Sequence, residues 1–185
     1  KLADMGKPID REALLASCPR GKSLGRPLVA RALVKAGHVA PPKVVLAATD
    51  FSGVSLKAVK EGLWIAQQSG AEFHLLHIID SKDVPEDLVS NIPEGSSMRQ
   101  EIDAEASRRL GEFLETLAVD QTQIQVHISL GTPWQEIQRI SQHVSADLIV
   151  IGTVGRSGLK GLLLGNTAEK VLDTCGCSIL TVKPD

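Results

Sequence analysis

Apolar and polar positions along residues 43–183 change their period several times, and each change marks an element. "KVVLAA" (43–48) is a short continuous apolar run of the strand type. In "SLKAVKEGLWIAQQSG" (55–70), Leu56, Val59, Leu63 and Ala66 recur at three- and four-residue spacing, which predicts a helix ended by Gly70. "EFHLLHII" (72–79) predicts a second strand, and residues 80–97 a loop with Pro, Gly and several acidic side chains. "MRQEIDAEASRRLGEFLETLA" (98–118) is a long amphipathic helix with Ile102, Ala106, Leu110, Phe113, Leu114 and Leu117 on one side. "TQIQVHISL" (122–130) alternates as a half-buried strand, and Gly131-Thr132-Pro133 opens a further helix, with Pro133 suited to its first turn. "DLIVIG" (147–152) is the unbroken apolar run of a central parallel strand covered on both faces. "NTAEKVLDTC" (166–175) then reads as a short helix and "SILTVK" (178–183) as a last strand. Trp64 and Trp134 fall at core positions of predicted helices.

The order is β-α-β-α-β-α-β-(Gly loop)-α-β. Such alternation predicts an open five-stranded parallel sheet with helices on both faces, a Rossmann-like α/β domain over residues 43–185, for which strand order 3-2-1-4-5 is the expectation. Residues 1–42 show no strand pattern. "PIDREALLASC" and "RPLVARALVKAG" predict two short helices, and His38 to Pro42 a linker, so 1–42 is expected to be a helical N-terminal arm.

Composition narrows the class. With 43% hydrophobic and 23% charged residues the chain can build a real core, but aromatics are 3% and Tyr is absent, so Leu, Ile, Val and Ala must supply it. A net charge of −2 argues against general affinity for nucleic acid or acidic membranes. No apolar run approaches the ~18 residues of a membrane span, and the start lacks a signal-peptide pattern. Cys18, Cys175 and Cys177 form neither a metal motif nor an even disulfide framework, which points to a reducing, cytoplasmic setting.

Candidate chemistry gathers at two places. Glycines stand at 152, 155, 158, 161 and 165, between an apolar strand and a helix. A strand–glycine loop–helix unit can turn successive backbone N–H groups onto an anion, and the helix dipole at Asn166 and Thr167 favours negative charge. Arg156 and Lys160 lie inside the loop and can neutralise phosphate. The alternative is a set of structural turns with Asn166 and Glu169 as a capping box, and the spacing alone leaves both open. "RGKSLG" (20–25) contains Gly-Lys-Ser but has Ala16 where a P-loop needs its first glycine, and no strand before it. The second place is "ATDFS" (48–52), where the first strand ends. In an open sheet of this order the strands reverse between the first and the fourth, which predicts Asp50 beside Gly152 with Ile78 at the rim. Asp50 could equally cap the following helix.

The stretches "KVVLAATDFSGVSLKAVKEGLWIAQQSGAEFHLLHIID", "DLIVIGTVGRSGLKGLLLGNTAEKVL" and "CSILTVKPD" closely resemble the universal stress protein family, from about residue 43 to 185. Its G-x2-G-x9-G-(S/T) loop is matched by Gly152, Gly155 and Gly165. The resemblance to the nucleotide-binding branch implies ATP or a related adenine nucleotide, and Mg²⁺ is a candidate companion of that ligand. It implies adenine near Asp50, flanked by Ala48 and Thr49, and near Ile78. Ribose and phosphates would lie around Ile151, Gly152, Gly155, Arg156, Gly165, Asn166 and Thr167. The chain departs from the family pattern in having Asn166 where Ser is common and Ala48 where Pro is frequent. The resemblance further implies a homodimer through the last strand, 178–183, and a regulatory role with a protein partner unknown. Residues 2–39 resemble the helical insertion of PHP-type phosphoesterases around "GRPLVARALVKAG", but that family's metal-binding motifs do not occur here, so no catalytic role is carried over.

His38, His74, His77, His127 and His143 show no i, i+4 pair or carboxylate companion that suggests zinc, and His77 is expected as a satisfied strand histidine. No Ser or Cys stands in a nucleophile-elbow context. No catalytic residue or metal ligand is therefore assigned. Three readings remain: an adenine-nucleotide-binding regulatory module, a dimeric stress adaptor that binds no nucleotide, and a weak ATPase.

Overall fold

A computed structural model describes residues 41–84, 97–117, 121–153 and 164–184. The arm predicted for residues 1–42 falls, up to residue 40, outside the described residues. Five strands run through the rest: Val44–Thr49 (β1), Glu72–Asp80 (β2), Ile124–Gly131 (β3), Leu148–Gly152 (β4) and Ser178–Val182 (β5). All neighbours pair parallel, in the expected order β3-β2-β1-β4-β5. The helices are Gly53–Ser69 (α1), Ser97–Glu115 (α2), Pro133–His143 (α3) and Asn166–Thr174 (α4).

Side chains leave a strand alternately to its two faces, and the sheet sorts them into two cores. Val45, Ala47, Phe73, Leu75 and Val150 meet Val59 and Leu63 of α1 and Leu110, Phe113 and Leu114 of α2. Leu46, Ala48, Leu76, Ile78, Ile149 and Ile151 meet Ile137 and Ile140 of α3 and Ala168 and Val171 of α4. β1 and β4 are apolar on both faces because both cores need them.

Helix ends follow local chemistry. α1 begins three residues before Leu56, the first of the apolar repeat, because Ser52 caps it by accepting from the Ser55 amide at 3.2 Å. Its end at Gly70 is as expected: that residue adopts a left-handed φ of 70°, which glycine takes without a Cβ clash. Pro133 sits in the first turn of α3.

Two expectations need correction. Trp64 and Trp134 are half-buried rather than core residues, and Trp134 packs at the margin of the α3–α4 core. β3 is an edge strand, so its alternation is shallow: Ile124 is buried but Val126 is 42% exposed. No helix among the described residues is long and apolar enough to cross a membrane.

Candidate functional site

Where β1, β2 and β4 end, the chain turns away and leaves a cleft of about 580 Å³ on the α3–α4 side of the sheet. Nine of the eleven residues singled out in the sequence line it. Ala48, Thr49 and Asp50 come from the end of β1, Ile78 from β2, Ile151 and Gly152 from β4, and Gly165, Asn166 and Thr167 from the start of α4. Gly155 and Arg156, with Lys160, lie outside the described residues.

The turn after β1 is held by short polar bonds. Thr49 is buried, its hydroxyl bonds Ser55 at 3.0 Å, and it accepts from the Phe51 amide at 3.0 Å. Asp50 does not cap α1; it accepts from the Ser52 amide at 3.0 Å, which leaves Ser52 to cap the helix. His77 Nδ1 lies 3.0 Å from the Thr49 carbonyl, which can only accept, so Nδ1 carries the proton. His77 is the satisfied strand histidine that its position suggested.

The opposite wall is built from a helix start. The N-cap of α4 is Gly165, with no side chain to accept from the first-turn amides, and the first helical bond runs from Glu169 N–H to the Gly165 carbonyl at 3.0 Å. The capping-box alternative for Asn166 and Glu169 is thus not realised, since Asn166 is already helical. Gly165, Asn166, Thr167 and Ala168 at this end line the cleft, and the dipole of a helix start favours an anion. Gly165 itself has φ −83° and ψ 158°, ordinary extended backbone.

Sequence reasoning missed Ser55, Asp80, Lys82, Asp83, Pro133, Ile137, Thr153 and Ala168, which complete the lining. Asp80 was within reach, because it lies two residues beyond Ile78 on the same face of β2. Its carboxylate accepts from the Lys82 amide at 3.1 Å and starts a single 3₁₀ turn, Ser81–Asp83, which brings Lys82 and Asp83 to the rim.

Next to the cleft, Glu136 of α3 accepts from Ser129 of β3 and from Arg139, whose Nη2 is 2.7 Å away. Burial pushes the Glu136 carboxyl up, but the bonds from Arg139 and Ser129 and the Arg139 charge outweigh it and hold the group below its ordinary value. Away from the cleft the sheet joins two histidines that the sequence left separate. His74 Nδ1 lies 2.8 Å from His127 Nε2, the rings stack at 5.1 Å, and Glu72 approaches His74 Nε2 at 3.7 Å. Cys175 and Cys177 are free and half-buried, and burial pushes both thiols up, away from the thiolate a nucleophile needs. Among the described residues no group of three or more His, Cys, Asp or Glu could hold a metal ion.

Comparison with known proteins gives this geometry a lineage. Residues 42–183 match the model of the Universal stress protein family. Universal stress protein MJ0531 of Methanocaldococcus jannaschii is 31% identical over 160 residues, covering 84% of this chain and 89% of the relative. Universal stress protein E of Salmonella typhi is 32% identical over 132 residues, 70% of this chain but only 41% of the relative, so the chain spans less than half of that protein. Among solved structures, the hypothetical protein MJ0577 superposes with a TM-score of 0.62 at 27% identity, covering 77% of this chain and 96% of its own. UspA from Lactobacillus plantarum has the same fold, with a TM-score of 0.63 at 24% identity over 78% of this chain and 99% of its own. The chain belongs to the universal stress protein family.

Proposed function

We propose that this chain is a regulatory module that binds ATP or a related adenine nucleotide in the cleft. The uncapped start of α4 carries the reading: Gly165 brings bare backbone to the cleft, and the amides of Asn166 and Thr167 follow with the positive end of the helix dipole. Across the cleft, Asp50 offers a carboxylate that accepts donors from the far end of the ligand. A volume of about 580 Å³ lies within the range of roughly 300–1,000 Å³ usual for small-molecule sites. Mg²⁺ is read as arriving with the triphosphate, held by its phosphates more than by a cage of protein ligands. The output is a change in contacts with a second copy or another protein. β5 lies at an edge of the described sheet and offers the strand for a homodimer, because an unpaired edge invites strand addition.

Equilibrium dialysis with ATP and Mg²⁺ tests the reading, with Gly165→Val as control. The extended backbone at Gly165 is open to valine, whose side chain is expected to take the place of the anion, and a thermal midpoint measured beside the dialysis checks that the variant is folded. Saturable uptake by the wild-type chain, lost in the variant, is the expected result. No uptake by the wild-type chain at millimolar nucleotide rejects the proposal.

A further inference from the structure

One polar group on the cleft wall has no role in the site described so far. Thr153 follows the end of β4, where its amide donates to the Val182 carbonyl at 2.7 Å and its carbonyl accepts from the Gly165 amide at 2.6 Å. Its main chain is therefore clamped between β5 and the N-cap of α4. Its side chain is not. The residue is 7% exposed, and Oγ1 has no hydrogen-bond partner among the described residues. Thr49 and Ser55, the other two buried hydroxyls that line the cleft, satisfy each other at 3.0 Å. A buried hydroxyl without a partner is an unmet donor, and folds keep few of them.

The neighbourhood points to the missing acceptor. Thr153 is one backbone bond from Gly165, so it adjoins the uncapped helix start, where negative charge is favoured. A threonine side chain has three staggered χ1 positions, and a turn among them moves Oγ1 without disturbing the clamped backbone. Because Thr153 already forms part of the cleft wall, such a turn can present its O–H to a ligand oxygen.

Building on the nucleotide reading above, we infer that the Thr153 hydroxyl donates to a phosphate oxygen of the bound nucleotide, so that it distinguishes phosphorylated from unphosphorylated ligands. The test uses the full chain with Thr153→Val, which keeps the shape and removes the hydroxyl, and Thr153→Ser, which keeps the hydroxyl. Affinities for ATP are measured by calorimetry, those for adenosine by ligand-observed NMR, and thermal midpoints are recorded alongside. Thr153→Val should bind ATP about tenfold more weakly, the loss of one hydrogen bond to a charged acceptor. Its adenosine affinity should be unchanged and its midpoint equal or higher, since an unmet donor is gone. Thr153→Ser should bind ATP like the wild type. Unchanged ATP affinity in Thr153→Val overturns the inference while leaving nucleotide binding intact. Equal losses for ATP and adenosine, or a lowered midpoint, overturn it too, marking a ribose contact or a structural role. A wild-type chain that takes up no ATP removes the nucleotide reading itself, and this inference with it.

Discussion

Acidification should weaken the β2–β3 side of the sheet through the His74–His127 pair. At 2.8 Å one ring nitrogen must donate and the other accept, so the bond does not survive with both rings fully protonated. Burial lowers the affinity of His74 for its proton, against an opposing pull from Glu72. Burial does the same to His127, reinforced by the neighbouring His74 and His143. Both folded values therefore lie below the ordinary 6.5. As pH falls, the unfolded chain takes up protons first. The stabilisation is whole above the unfolded value, falls as pH drops through it, and is gone below the folded values. Between about pH 6.5 and 5.5 an unfolded imidazole goes from about half to about nine-tenths protonated, worth at most ~1 kcal/mol each and ~2 kcal/mol for the pair. At about 2–4 °C per kcal/mol, that is a fall of up to ~8 °C in the thermal midpoint. Calorimetric scans at about pH 7.5, 6.5 and 5.5 should show this fall in the wild-type chain and a smaller one in a His74→Leu/His127→Leu double variant. Contributions such as that of Glu136 are common to both proteins and cancel in the difference. Equal losses in the two proteins would refute the reasoning, as would a wild-type chain that gains stability on acidification relative to the variant.

Packing and capping supply two further tests. A Cβ on Gly62 of α1 would lie 3.2 Å from Phe73 Cε2 and 3.3 Å from Val150 Cγ2, so Gly62→Val should cost about 1–3 kcal/mol in urea unfolding. Gly62→Ala should be near neutral, because a helix-propensity gain of about 1 kcal/mol opposes the tight contact; a valine variant as stable as wild type contradicts the packing. Ser52→Ala removes the acceptor of the Ser55 amide and should lower unfolding free energy by about 1 kcal/mol. An unchanged value would mean that Ser52 is not what fixes the start of α1.

The parallel sheet and its central strands were legible because parallel strands need crossovers and the two central strands carry apolar side chains on both faces. "DLIVIG" reads as central for that reason, and β4 indeed pairs with β1 and β5. The place of Asp50 in the cleft was legible, since it stands at a strand end where the sheet order reverses. The histidine pair was not. Leu76 stands opposite His127, so His74 reaches that ring along a diagonal, and this register arises only when β2 and β3 pair. Lys82 and Asp83 at the rim were hidden in a stretch that reads only as an acidic loop. Whether Asp50 or Ser52 caps α1 was equally hidden, because it depends on which side chain reaches which amide.

Three consecutive residues show why the site cannot be understood from its own wall alone. Thr49 ends β1 with its hydroxyl on Ser55 and its carbonyl on His77. Asp50 lines the cleft, and Phe51 turns back toward the α1–α2 core with a φ of 65°. A bulky residue in the left-handed region costs about 1–3 kcal/mol and persists only where its surroundings enforce it. Those surroundings are visible. The Phe51 amide donates to Thr49, its ring lies 4.1 Å from His77 and 5.6 Å from Phe113, and the Arg109 guanidinium sits 5.4 Å above it. Phe113 and Arg109 belong to α2, on the side of the sheet opposite the cleft. The backbone bend that presents the Asp50 carboxylate is thus held by contacts across the sheet.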